Sequence, residues 1–400
     1  MHAYWITFLA ITGACIGSFL NVVICRLPRG QSIVFPPSHC FSCGRHIKWY
    51  DNIPLVSWLV LRGRCRFCRE RISPRYLLVE AGTAALLAGL YVCYYVLDVR
   101  AGAGSFAQSW PTFVAHAGLL CGLLACSMVD IEHWIVPLEV CWVVSVVGAV
   151  AAAARPNQWM PGISPTTGAA ALGAAAGLVI GLVLLRWRVV PRGFADARGR
   201  PALGKPSADR NGRGKERQKA VRQPKTVAAT KSHGVNPRVE VLKELMFLAP
   251  AFVMAIVFGL LATRVGPCRH AWSWLATGPA GPHVMGMLAA MFGYLVGGLW
   301  IWGVRILGTL CFGKEAMGLG DVHILAAVGA VTGWIAPSVT FFLAPIFGLL
   351  WALYLWLRRN QRELPYGPWL AVGTLAVMLF HDILASLLQP YGQALRRLLY

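Results

Sequence analysis

Runs of about twenty apolar residues recur along this chain, and nothing else in it restricts the fold as strongly. Stretches such as TFLAITGACIGSFLNVVIC (residues 7–25) and LAPAFVMAIVFGLLAT (residues 248–263) have the length needed to cross a hydrocarbon core of about 30 Å. Water is absent there, so a spanning segment must satisfy its own backbone N–H and C=O groups, and a single segment does so only as a helix. Composition agrees. Of the 400 residues, 57% are hydrophobic and 13% charged, where a soluble domain carries about 25% charged residues. The expected class is an all-α polytopic membrane protein with about 8–10 transmembrane helices.

Apolar segments are read at Tyr4–Cys25, Leu77–Leu97, Pro111–Val129, Ile135–Ala154, Thr167–Trp187, Leu245–Thr263, His283–Leu307, Val322–Pro337, Ser338–Leu357 and Trp369–Leu388. Met1–Trp5 carries no Lys or Arg, and Arg26 and Arg29 follow the first run. That order favours a retained signal-anchor with its N-terminus outside over a cleaved signal peptide. Alternation then places Arg26–Tyr76, Asp130–Trp134, Arg188–Lys243, Cys311–Asp321 and Arg358–Glu363 on the inner side. Both large basic loops and the RRNQR run fall there, as the positive-inside rule requires. The net charge of +21 is thereby a topological signal. The lipid bilayer is the expected surroundings, with no nucleic-acid partner. Arg188–Lys243 is rich in Arg, Lys, Gly, Pro and Ala without an apolar period, and reads as a disordered basic loop. A solvated loop is preferred there over a site for anionic lipid.

The first inner loop holds CFSC (Cys40, Cys43) and CRFC (Cys65, Cys68), separated by Gly44–Arg64. Two such pairs resemble a four-thiolate zinc site. Each pair turns two sulfurs toward one ion, and the second folds back to close the tetrahedron. Four Cys ligands leave no open position, so the zinc would be structural. On the cytoplasmic side the thiols stay reduced.

Carboxylates bordering hydrocarbon are costly and are functional candidates by default. Asp130 ends the third segment and Asp321 begins the eighth. By the topology above, both lie at the same inner boundary. Peptide hydrolysis by two carboxylates needs one ionised, to take a proton from water, and one protonated, to polarise the scissile carbonyl. Close like charges share a proton in this way. Gly318 and Gly320 flank the second Asp and would allow a bend and close substrate approach. A helix N-cap is the bland alternative for Asp321.

The stretches GSFLNVVICRLPRG (Gly17–Gly30), CFSC…CRFC, SPRYLLVE (Ser73–Glu80), DIEHWIVP (Asp130–Pro137), GKEAMGLGD (Gly313–Asp321) and LPYGPWLA (Leu364–Ala371) resemble, in content and order, the bacterial type IV prepilin leader peptidases. These are GxGD-type intramembrane aspartyl peptidases that also N-methylate the new N-terminus. The resemblance implies Asp130 and Asp321 as the catalytic pair, with Gly318, Gly320 and Glu132 in supporting motifs. It implies Cys40, Cys43, Cys65 and Cys68 as the tetracysteine loop. The substrate would be the basic leader of a prepilin or pseudopilin, and the methyl donor S-adenosylmethionine, for which no binding residues can be read. The implied location is the bacterial inner membrane, with the active site facing the cytoplasm.

On this reading residues 1–98 form an N-terminal methyltransferase part with two helices and the zinc loop. Residues 99–400 form the peptidase domain, interrupted at about 158–282 by an insertion that contains the basic loop 188–243 and two further spans. An even number of extra crossings keeps Asp321 on the side of Asp130. Three positions depart from the family pattern. Leu138 follows the Pro of the first motif, His323 stands where Lys is common, and Glu132 could compete for the acid/base role. A catalytically inactive zinc-stabilised scaffold of a pilus or secretion system is the alternative. A transporter fits poorly, because the acidic residues gather at one interface and not at mid-membrane.

Overall fold

The computed structural model describes residues 1–100, 102, 104–156, 159–191, 237–313, 317–359, 365–384 and 386–387. Most of the basic loop 188–243 therefore lies outside the described residues, as do Lys314–Ala316 and Leu364 of the motifs. The described residues are helical, with no strand beyond two isolated β-bridges.

The helices are α1 (His2–Arg26), α2 (Val56–Val60), α3 (Arg75–Tyr95), α4 (Phe106–His133), α5 (Leu138–Ala154), α6 (Pro165–Arg186), α7 (Pro237–Arg264), α8 (Gly266–Thr277), α9 (Gly281–Phe312), α10 (Leu319–Thr332), α11 (Ile335–Arg359) and α12 (Gly367–Leu379). Among the described residues, seven are long and apolar enough to cross a membrane: α1, α3, α4, α6, α7, α9 and α11. The apolar helices α5, α10 and α12 are shorter. At 1.5 Å per residue the 14 residues of α10 reach only about 21 Å, less than a full hydrocarbon core.

Each expected segment is occupied by a helix, although α12 stops at Leu379, short of the expected Leu388, and two larger differences appear. The boundary placed at Pro337 falls instead at Gly333, whose φ of 83° ends α10. Pro337 sits in the first turn of α11, where its missing N–H has no intrahelical acceptor to satisfy. The second difference is α8, a twelve-residue helix with no buried residue, which no apolar segment announced. Its sequence GPCRHAWSWLAT is too short and too polar to register as a span.

Membrane helices gain little from burying apolar groups against one another, because lipid is equally apolar. Close backbone packing at small residues takes over. The spacing Gly173, Gly177, Gly181 puts three glycines on one face of α6, against the carbonyls of Met254, Pro250 and Phe247 on α7. An ideal Cβ at Gly177 would lie 2.3 Å from Pro250 O, so the insertion folds as a helix pair sealed by this face. Gly293 and Gly297 of α9 meet Gly329 and Leu325 of α10 in the same manner. The most apolar window of α4 is 78% buried, against 17% for α7. Thus α4 is the central post and α7 a peripheral element. Outward side chains such as Val253, Ile256, Leu260, Leu349 and Leu350 are exposed and form the surface that lipid would cover.

Candidate active site and metal centre

The thiols of Cys40, Cys43, Cys65 and Cys68 all lie within 4.8 Å of one another, and none is in a disulfide. The cluster could hold a metal ion. Two similar turns build it. Cys40 N–H donates to Arg45 O, Gly44 N–H to Cys40 O and Ile47 N–H to Ser38 O. The second half repeats the pattern at equivalent positions, with Cys65 to Glu70, Arg69 to Cys65 and Ile72 to Gly63. Gly44 (φ 70°) and Arg69 (φ 59°) occupy the same left-handed position in the two turns.

The N–H groups of Cys68 and Phe67 pull the Cys65 thiol down to about 7. The Glu70 N–H also favours a thiolate at Cys68. Burial and the hydrogen bonds with Cys65, Cys40 and Cys43 outweigh it and push that thiol up to about 12. One thiolate thus opposes the next, and a divalent cation is what would let all four ionise. The donor set fits such an ion.

Two contacts fix the loop. Arg66 grips Asp51 through Nε and Nη2, at 2.6 Å for the shortest contact, and holds the Asp51 carboxyl below its ordinary range. The buried Glu80 of α3 accepts the Leu55 N–H at 2.7 Å. The loop is thereby seated on the N-terminal end of α3.

That end of the bundle also carries the carboxylates. Arg75, the first residue of α3, pairs with Glu132 in the last turn of α4 at 2.5 Å. Glu132 lies two residues from Asp130, so the helix turns the two side chains to nearly opposite faces. Asp130 is buried, 7% exposed, and its Oδ2 accepts the Gly367 N–H at 3.1 Å. Asp321 lies in the first turn of α10. It is not the N-cap: Gly318 takes that place, with ordinary extended dihedrals (φ −73°, ψ 145°). The glycines therefore supply space more than a special bend. An ideal Cβ at Gly320 would lie 2.6 Å from the Val136 side chain, in the α4–α5 connection. The Asp321 Oδ2 lies 3.7 Å from the Cβ position of Gly318, at the helix end where partial positive charge favours an anion.

The helix carrying Asp130, α4, packs directly on α10, which carries Asp321. An ideal Cβ at Gly367 would lie 2.8 Å from Asp130 Oδ2 and 3.4 Å from Ile324 Cδ1. Ile324 is three residues after Asp321 on the same face of α10, so the start of α12 is wedged where α4 and α10 converge. His323 faces Tyr294 of α9, 3.4 Å from its hydroxyl. The contribution of Gly367 is not readable beforehand. The LPYGPWLA motif marks the segment, but the carboxylate it binds is 237 residues away in the chain.

A bundle of long apolar helices with a tetrathiol cluster that could hold a metal ion, and with carboxylates at the same end, defines a class of multi-pass membrane protein. Residues 11–94 match the family model for the bacterial peptidase A24 N-terminal domain. The chain is 35% identical over 392 residues to the type 4 prepilin-like proteins leader peptide-processing enzyme of Escherichia coli O78:H11, covering 92% of this chain and 91% of that protein. It is 25% identical over 416 residues to a prepilin leader peptidase/N-methyltransferase of Pseudomonas putida, covering 98% and 96%. A shorter match, 47% over 133 residues, links it to the Myxococcus xanthus protein of the same name, at 33% of this chain and 36% of that one. The chain belongs to the prepilin leader peptidase/N-methyltransferase family, as the motifs indicated. No solved structure is a match to the chain.

Proposed function

We propose that this chain is an intramembrane aspartyl endopeptidase that removes the basic leader of type IV prepilins or pseudopilins at the cytoplasmic face of the inner membrane. The observation that carries the reading is the Gly367 N–H bound to Asp130 at the start of α12, where α12 packs against both α4 and the Asp321-bearing helix α10. Two carboxylates so placed share one proton. The ionised one takes a proton from water as it attacks the scissile carbonyl, and the other donates to the carbonyl oxygen. The Gly367 N–H holds Asp130 in place through Oδ2 and leaves Oδ1 for the water. Glu132, tied to Arg75, anchors α3 to α4.

The second activity is N-methylation of the new N-terminus, with S-adenosylmethionine as methyl donor. We assign it to residues 1–98 and cleavage to residues 99–400; the match of residues 11–94 to an N-terminal domain model supports a separate N-terminal part. Cys40, Cys43, Cys65 and Cys68 would hold one structural zinc, which closes the loop and takes no part in cleavage. No residue set is assigned to the methyl donor.

The test is incubation of the full-length protein in detergent with a peptide spanning a prepilin leader and the start of its apolar helix. Mass spectrometry is expected to find the leader released after its final Gly. With S-adenosylmethionine added, the new N-terminus should gain one methyl group. An intact peptide under conditions where the protein is folded overturns the protease reading and favours the inactive scaffold.

A further inference from the structure

Among the described residues, the inserted helix pair makes a charged contact with α9 that no motif announces. Arg305 of α9 is 1% exposed and pairs with Glu244 of α7, Nε to Oε1, at 2.8 Å. The other Glu244 oxygen accepts from Trp302 Nε1 at 3.0 Å. Phe247 of α7 stacks on the Trp302 ring, with centroids 5.5 Å apart and planes at 24°, and this flanks the pair on the apolar side. Residues 302 and 305 share a face of α9, as 244 and 247 share one of α7. The two faces interlock.

Arg305 does more than hold the insertion. Its Nη1 donates to the carbonyl of Met317 at 2.6 Å. Met317 immediately precedes Gly318, the N-cap of α10. The guanidinium thus fixes the peptide that feeds the helix carrying Asp321. A planar guanidinium can meet a carboxylate and a carbonyl at once in set directions, which a single ammonium cannot.

We infer that Glu244 and Arg305 form a positioning clamp, through which the inserted helix pair sets the direction of the α10 start and hence the placement of the Asp321 carboxylate. Neither residue touches substrate. Glu244 orients Arg305, and Arg305 orients the Met317–Gly318 peptide. The inference rests on the protease reading for its kinetic consequence, but not for its structural one.

The informative variant is Arg305→Lys in the full-length protein. Lysine keeps a charge for Glu244, so the helix pair stays attached, but it gives up the fixed second donor to Met317. The cost of misplacing a reacting group by about 1 Å can reach about a hundredfold, so kcat on the prepilin-like peptide is expected to fall at least about tenfold. KM should stay within about twofold. Amide hydrogen exchange should quicken at 317–322 and stay unchanged in α6 and α7. The double variant Glu244→Gln/Arg305→Met removes both charges of the Glu244–Arg305 pair together and should show the same kinetic loss. Wild-type kcat and wild-type exchange at 317–322 in Arg305→Lys would overturn the clamp. So would exchange rising equally across α6 and α7, since the pair would then be a fastening only. A wild-type chain that leaves the peptide whole contradicts the protease reading alone, and the exchange result still decides the clamp.

Discussion

At Gly367 a single added carbon would be enough to displace the Asp130 carboxylate. Its N–H binds Asp130, and its missing side chain leaves room for Asp130 Oδ2 and Ile324 Cδ1. Gly367→Ala is expected to push these apart and lower kcat about tenfold to a hundredfold, while thermal unfolding in detergent shifts by only a few degrees. Unchanged turnover would show that this wedge does not set the carboxylate geometry. The candidate carboxylates themselves were legible at this scale, because acidic residues at a membrane boundary carry a cost that is rarely borne idly. Arg305, an ion inside the apolar run WIWGVRILG, carried the same signal, which the reading of that segment as apolar passed over. Its partner was not legible, since Glu244 lies 61 positions away. The expected bend at Gly318 and Gly320 reflects a limit of another kind. Glycine in a sequence signals either unusual dihedrals or lack of room, and only the Val136 contact at Gly320 distinguishes them.

At the level of the helices, hydropathy found the segments because apolar length is a one-dimensional quantity. It could not find α8, whose twelve residues are too few for a span, nor place the break at Gly333, which competes with the nearby Pro337 for the same role. The way the helices pack was present in the sequence as Gly-x-x-x-Gly spacing, although that spacing names no partner. Gly177→Leu tests the α6–α7 seam. A Cβ there meets Pro250 O at 2.3 Å, so the pair must separate. We expect a loss of about 1–3 kcal/mol in stability, read by thermal or denaturant unfolding in detergent. Glycine-to-leucine change at the outward Gly89, where a Cβ would meet nothing, should cost less. Equal effects at both positions would argue that the α6 glycine face does not hold the insertion.

For the molecule as a whole, the parts lie at one end of the bundle: the thiol cluster, the Arg75–Glu132 tie and the two carboxylates. Counting crossings predicted that Asp130 and Asp321 share a side, but counting cannot bring two helices together. Their convergence depends on α12 returning between α4 and α10, a three-body contact that hydropathy does not encode. The proposed zinc loop sits outside the helix bundle, seated on α3. We expect one zinc per chain by elemental analysis. Removing it with a strong chelator should open 36–72 to proteolysis and leave the helices protected. Zinc-free protein whose loop resists protease as well as the loaded form would contradict a structural metal.

The central claim is that Asp130 and Asp321 act as one acid/base unit. Cleavage of the prepilin-like peptide by Asp130→Asn, Asp321→Asn, the double variant and Glu132→Gln tests it most directly. The account predicts that both single changes and the double fall to the same background, because residues acting as a unit are not additive. Glu132→Gln should retain most of its turnover, and zinc content should be unchanged throughout. Substantial cleavage by either Asn variant, or loss confined to Glu132→Gln, would contradict it.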